Sequence, residues 1–217
     1  MSLFQLDPQS LAQRARAAGM KPPSLGASLI RGALGFAVVS IAGFVPWAVF
    51  GGWFHHHGGE VALYIACTVI FVGLSGLLMH RLIIGSGSLS RFYQLFSGAF
   101  AAYAVAWIVG WMTLRGNPGS LAGLFAGAVV MGFILAAAFE ALGALVPVIL
   151  ALFLLNAAGY FIGGVFEGLL MQQHQPLLAK LQWGLCYGLG SGAGLGLAFY
   201  LCQRRARTLL AQSARSL

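Results

Sequence analysis

The residues of this chain that could do chemistry are concentrated in a short stretch between two apolar runs. The stretch "HHHGGE" contains three consecutive histidines, His55, His56 and His57, followed by Glu60. Imidazole and carboxylate groups bind zinc, copper or iron, and histidine also titrates near neutral pH. Alternate residues of an extended turn point the same way, so His55 and His57 are the pair expected to share a metal ion.

Two further residues of ligand type are expected on the same side of the membrane as this stretch. Glu167 and His174 flank the turn before the last apolar run, and with His55, His57 and Glu60 they form the candidate metal set. Three interpretations stay open: a polar turn at the membrane interface, a metal site, and a pH-sensing or proton-handling cluster. The interfacial turn is favoured because a turn in the headgroup region needs polar residues.

The composition of the chain indicates an integral membrane protein. Of its 217 residues 59% are hydrophobic and 7% are charged, with a mean hydropathy of +0.87. An ordinary soluble domain is about a quarter charged. A helix needs about 20 mainly apolar residues to cross the hydrocarbon core. The sequence predicts an all-α fold with six such spans, Leu29–Phe54, Val61–Ile84, Leu89–Leu114, Leu121–Glu140, Leu145–Phe166 and Leu181–Cys202.

The placement of the basic residues predicts the orientation of the spans. Ten of the twelve Lys and Arg residues fall on the side of the two termini, against Arg115 and Lys180 on the other. Cytoplasmic loops carry the excess of basic residues, so both termini are expected in the cytoplasm, with the lipid bilayer rather than nucleic acid as the partner. With no eukaryotic targeting signal in view, we expect a bacterial inner membrane.

Three segments are expected along the chain. Residues 1–27 form a cytoplasmic basic tail, in which Ser10 could begin a short helix on the membrane surface or remain part of a mobile tail. Residues 28–203 form the transmembrane domain, and residues 204–217 form a second basic tail. The apolar run that holds the fourth and fifth spans is nearly uninterrupted, and Glu140, Gly143 and Pro147 mark the expected turn between them.

Spans one, three and five resemble one another at a spacing of about 58 residues. Ala42-Gly43-Phe44, Ala101-Ala102-Tyr103 and Ala158-Gly159-Tyr160 fall in one frame. Fixed-period similarity of this kind predicts three related helical hairpins, with a site between them as in transporters built from repeats. The alternative is a six-helix bundle whose apolar, glycine-rich segments match by chance.

The last span carries two rows of glycines at four-residue spacing, and span five carries a lone amide. Such rows are typical of close helix packing, within the chain or against a homo-oligomer or membrane-protein partner. Asn156 falls near the middle of span five, where it could bond across helices or line a polar path. The candidate transport path comprises Asn156, Glu140, Gly188, Gly192 and Gly196.

The inventory for catalysis is thin. The sequence contains no GxSxG, HExxH or Walker motif, and Asp7 is its only aspartate, so an enzyme is not the expected class. We expect a transporter or channel for a small solute or ion, or the membrane core of such a system. The alternatives are a metal-binding or redox accessory protein that uses the outward His/Glu set, and a structural or assembly subunit.

Overall fold

The structure is a computed structural model that describes residues 3–215, and within that range it is helical with no strands. Six of its helices are long and apolar enough to span a membrane, which confirms the all-α, six-span prediction and supports an integral membrane protein. The helices are α1 (Pro8–Ala17), α2 (Leu25–His57), α3 (Gly59–Met79), α4 (Ser88–Leu114), α5 (Gly116–Ala138), α6 (Leu145–Gln172), α7 (Pro176–Cys202) and α8 (Arg204–Arg215).

The six spanning helices form a closed ring in the order α3, α2, α7, α6, α5, α4 and back to α3. Each of the pairs α2/α3, α4/α5 and α6/α7 is in contact, as three hairpins require, while the relatedness of the hairpins stays a prediction. Aromatic side chains fill the centre of the ring. Phe36 of α2 lies within 6.4 Å, ring centre to ring centre, of Phe71, Phe96 and Tyr187.

Glycine brings the backbones of α7 and its two neighbours together. A Cβ atom built on Gly188 would lie 2.6 Å from Cα of Ala37 in α2, and one on Gly190 would lie 2.8 Å from Cα of Gly159 in α6. Real Cβ atoms essentially never show contacts this short. The two glycine rows of the last span therefore pack against different helices of the same chain, which confirms that the fifth and sixth spans pack directly.

The turn between α5 and α6 lies where the sequence places it. The α5 helix ends at Ala138, Glu140 has a positive φ of 52°, and a short 3-10 turn at Leu142–Ala144 leads into α6. Pro147 occupies the first turn of α6, where its missing N–H leaves no helical bond unmade. The long apolar run from Leu121 to Phe166 is thus two spans.

The N-terminal segment differs from the expectation in its cap and in its contacts. Asp7, rather than Ser10, caps α1, and its carboxylate accepts a hydrogen bond from the backbone N–H of Ser10 at 2.9 Å. The apolar face of α1 is buried: Leu11 is 1% exposed and contributes to the main hydrophobic core. Arg16 donates to the Leu209 carbonyl of α8 at 3.0 Å, so both ends of the described chain meet at one end of the bundle.

Candidate functional site

A buried polar network joins three helices near the middle of the bundle. Asn156 of α6 is 6% exposed, its side-chain amide donates to the Tyr103 hydroxyl of α4 at 2.7 Å, and its carbonyl accepts from the Ser191 hydroxyl of α7 at 2.7 Å. All three residues lie near the centres of their helices, so the network is at mid-membrane depth. A polar group in hydrocarbon is stabilised by such pairing, and here each pairing crosses between helices.

The network borders a small cavity in the centre of the ring. The cavity has a volume of about 20 Å³, and its polar lining consists of Tyr103, Asn156, Tyr187 and Ser191. Since a single water needs roughly 10–15 Å³, the space is the size of one water molecule. None of the residues that line the cavity carries an ionised side chain at neutral pH.

An aromatic cluster lies on the side of the polar network that faces the histidine stretch. The ring of Trp183 in α7 lies 5.6 Å from Phe44 and 5.3 Å from Tyr160, and its indole N–H donates to the Tyr160 carbonyl at 3.1 Å. Lys180 lies with its Nζ 4.5 Å above the ring centre of Trp47, one helical turn nearer the helix end. This cluster lies between the polar network and the end of the bundle that carries the histidines.

A ladder of stacked aromatic rings lies on the opposite side of the polar network. Phe92, Phe96, Phe100 and Tyr103 of α4 stack in sequence, with ring centres 5.0, 5.4 and 6.2 Å apart. Phe199 of α7 stacks on the first of them at 5.7 Å. Aromatic side chains therefore lie on both sides of the polar network along the bundle.

The other residues predicted to line a transport path do not border the cavity. Glu140 is exposed in the α5–α6 turn at the end of the bundle. Gly188, Gly192 and Gly196 are buried against the backbone of α2, where Gly192 faces Gly32 and Gly196 faces Ser28. Their place in a path stays a prediction, and Asn156 is the member of the predicted path that the structure finds beside the cavity.

The histidine stretch is helical, so the extended turn that would pair alternate histidines is not formed. The α2 helix continues through His57, and two residues apart on a helix means about 200° around its axis. The His57 ring stacks on Trp53 at 4.9 Å, and its Nδ1 lies 2.9 Å from the Trp53 carbonyl oxygen. His55 instead lies edge to face with His56 at 5.6 Å.

No grouping of three or more His, Cys, Asp or Glu residues that could hold a metal ion occurs within residues 3–215. His55, His57, Glu60 and His174 are exposed, and Glu167 is half-buried on α6. His174 has a positive φ of 57° in the turn before α7. The metal-binding interpretation of His55, His57, Glu60, Glu167 and His174 stays a prediction that rests on sequence proximity.

Sequence reasoning found Asn156 but missed both of its partners. Tyr103 was noted as a member of the repeat frame, and that frame places it at the level of Tyr160 in the next hairpin, which indicates the same depth. Ser191 is the single serine of α7 and lies one turn after Tyr187. The signal in the sequence is that Tyr103, Asn156 and Ser191 are all polar residues near the middle of their spans.

Comparisons with known proteins identify no relative: no family model matches the sequence, and no curated protein or solved structure matches it.

Proposed function

We propose that this membrane protein transports a small, uncharged polar solute through a binding site formed by Tyr103, Asn156 and Ser191. The observation that carries the proposal is the buried hydrogen-bonded network at mid-membrane, drawn from α4, α6 and α7, beside a cavity the size of one water molecule. A polar centre with space beside it, at the depth where transporters bind their substrates, is what a permeation site requires.

The chemistry of the lining favours a neutral solute over an ion. The polar groups are one amide and three hydroxyls, which both donate and accept hydrogen bonds. A bare ion in a low-dielectric interior needs a counter-charge or several oxygen ligands, and none of the lining residues is charged. The cavity volume of about 20 Å³ restricts the closed conformation to a solute of one or two heavy atoms unless the ring opens.

Opening would require the ladder of α4 that begins at Phe92 to part from its neighbours, one of which is Phe71 of α3. The seam between α3 and α4 is the less tightly packed side of the ring. Its contacts include Gly76, which lies against the ring of Tyr93, and the Tyr93 hydroxyl, which donates to the Gly73 carbonyl at 2.5 Å. We propose that α3 moves relative to α4 while α2, α6 and α7 stay together.

The proposal is tested by flux into proteoliposomes, followed by stopped-flow light scattering for water, glycerol, urea and small alcohols and amides, with labelled sodium and potassium as charged comparisons. The variant Ser191→Ala removes one hydroxyl of the network. Ser75→Ala is the matched control, because Ser75 is also buried, has no hydrogen-bond partner among the described residues and does not line the cavity.

We expect flux of at least one neutral solute above that of protein-free vesicles, reduced roughly tenfold in Ser191→Ala, which corresponds to about 1.4 kcal/mol for a lost hydrogen bond. The Ser75→Ala variant should retain the wild-type rate. Absence of flux for every solute from the wild-type protein, or an equal loss in both variants, would contradict the proposal.

A further inference from the structure

Two arginines from distant parts of the chain lie close together at the end of the bundle that carries both described ends of the chain. Arg14 belongs to α1 and Arg91 to the first turn of α4, and both side chains are half-buried. Arg14 lies against Gly85 and Arg91 lies against Gly87 of one short loop, so the loop brings the two side chains together. Holding two like charges together is unfavourable unless an anion offsets the repulsion.

The loop between α3 and α4 lies against both arginines. Its two glycines adopt left-handed conformations, with φ of 96° at Gly85 and 67° at Gly87. A Cβ atom on Gly85 would lie 3.0 Å from Cβ of Arg14, and one on Gly87 would lie 3.3 Å from Nη2 of Arg91. Both the close approach and the conformation favour glycine.

Neighbouring backbone and amide groups fix the direction of each guanidinium. Arg91 donates through Nη1 to the Ser86 carbonyl at 2.9 Å. Arg14 donates through Nη1 to the Gln5 carbonyl at 3.3 Å and through Nη2 to the Gln5 side-chain oxygen. A guanidinium carries five N–H donors, so these bonds orient each group and leave other donors for a ligand.

The buried side chain of Gln203 is hydrogen-bonded to the segment that leads into the same loop. Gln203 is 2% exposed, accepts from the Ile84 N–H at 2.8 Å and donates to the Leu82 carbonyl at 2.9 Å. The loop is thus anchored to the end of α7, and the two arginines are arranged before any ligand arrives. Such pre-organisation lowers the entropic cost of binding.

We propose that Arg14 and Arg91 bind the phosphate of an anionic phospholipid headgroup. Guanidinium groups match phosphate oxygens in geometry and charge, and basic pockets between spanning helices at the cytoplasmic side are sites of anionic lipid binding. The lipid is favoured over free phosphate because Arg91 lies at the start of a spanning helix, at the level where headgroup phosphates lie. The site does not depend on the transport proposal.

The test uses the full chain in mild detergent at about 0.15 M salt, where the electrostatic attraction of exposed charges is screened. Native mass spectrometry measures retention of phosphatidylglycerol, with phosphatidylcholine as the uncharged comparison and inorganic phosphate as the free-anion competitor. The variants are Arg14→Gln/Arg91→Gln, the charge-preserving Arg14→Lys/Arg91→Lys, and the control Arg31→Gln/Arg81→Gln. The control removes the same charge from two exposed arginines at the same end of the bundle.

We expect the wild-type chain to retain one phosphatidylglycerol, with affinity lowered at least about tenfold in Arg14→Gln/Arg91→Gln and less than about threefold in the control. The lysine variant should lie between wild type and the glutamine variant, because charge is kept and the paired donors are lost. Equal losses in the control and the test variant would overturn the site. Equal retention of phosphatidylcholine, or complete displacement of the lipid by millimolar phosphate, would overturn its assignment to an anionic lipid. A well-folded Arg14→Gln/Arg91→Gln variant with wild-type retention would do so as well.

Discussion

The helices α7 and α3 cross the same bundle, yet they are held in it in different ways. The most apolar window of α3 has a mean hydropathy of 2.3 and is 17% buried, whereas that of α7 has a mean hydropathy of 1.4 and is 50% buried. In α7 glycines face α2 on one side and α6 on the other. The first half of α3, up to its middle residue Val69, exposes Val61, Tyr64 and Val69 by 65% or more.

The comparison teaches that hydropathy does not decide which membrane helix lies inside a bundle. Lipid tails are as apolar as leucine, so an apolar side chain gains little by moving from lipid to protein. Close approach of backbones does distinguish the two helices, and small residues permit it. We infer that α7 is a closely packed member of the ring and α3 a loosely packed one.

The largest effect is expected from filling the contact between α7 and α2. A Cβ on Gly192 would lie 2.7 Å from Cβ of Phe36, so Gly192→Val should lower the free energy of unfolding by about 3 kcal/mol or more. The control is Gly73→Val in α3, where no described atom outside the adjoining residues and the backbone of the same helix lies within 4 Å of the added carbon. Denaturant unfolding in detergent measures both. Equal destabilisation by the two variants would contradict the contrast between the helices.

The second-largest effect on stability is expected from the hydrogen bonds between the end of α7 and the loop that follows α3. Gln203→Ala removes the hydrogen bonds to Leu82 and Ile84 and leaves buried backbone groups without a partner, so we expect a loss of about 2 kcal/mol. Gln212→Ala, at an exposed position of α8, is the control and should change stability by less than about 0.5 kcal/mol. If the two variants unfold alike in the same assay, the loop is not anchored through this side chain.

A smaller effect is expected within the mid-membrane network. A double-mutant cycle with Tyr103→Phe and Asn156→Ala should give a coupling energy of about 0.6–1.7 kcal/mol, because each single variant removes the same hydrogen bond. The comparison cycle pairs Asn156→Ala with Tyr64→Phe, an exposed tyrosine of α3, and should give a coupling energy near zero. If the effects of Tyr103→Phe and Asn156→Ala are additive, the two side chains are not energetically coupled, which would contradict the network.

The smallest effect on stability is expected from the histidines at the C-terminal end of α2. His55→Ala/His57→Ala should leave the free energy of unfolding within about 0.5 kcal/mol of wild type, because both side chains are exposed. Elemental analysis of untagged protein is expected to give no stoichiometric zinc, copper or iron in either chain, since no group of three ligands lies together among the described residues. One metal per wild-type chain, lost in the variant, would establish the metal site.

The architecture could be predicted from sequence because each span is long, apolar and bounded by turn residues. The fourth and fifth spans separate at Glu140, and the glycine spacing in the last span predicts its packing. The prediction that Ser10 caps the first helix was wrong, because Asp7 lies immediately before Pro8, and a proline is favoured in the first turn of a helix.

The candidate site was only partly predictable. Asn156 stands out as a lone amide among apolar residues, but its partners Tyr103 and Ser191 are 53 and 35 residues away. Their convergence depends on which helices neighbour each other in the ring, and a single apolar sequence does not encode that order in any periodic pattern. The extended turn expected to pair His55 with His57 is not formed, since α2 continues as a helix through the histidines, and their role as metal ligands stays a prediction.

Accessibility of the polar network from water tests the central claim most directly. In a chain whose three cysteines, Cys67, Cys186 and Cys202, are replaced by alanine, Ser191→Cys adds one thiol beside the cavity. Ser75→Cys adds one at a buried position elsewhere. The account predicts that a small, water-soluble thiol reagent labels the chain that carries Ser191→Cys in proteoliposomes and leaves the chain that carries Ser75→Cys unlabelled. Equal resistance of both thiols to the reagent would contradict a solute path through this site.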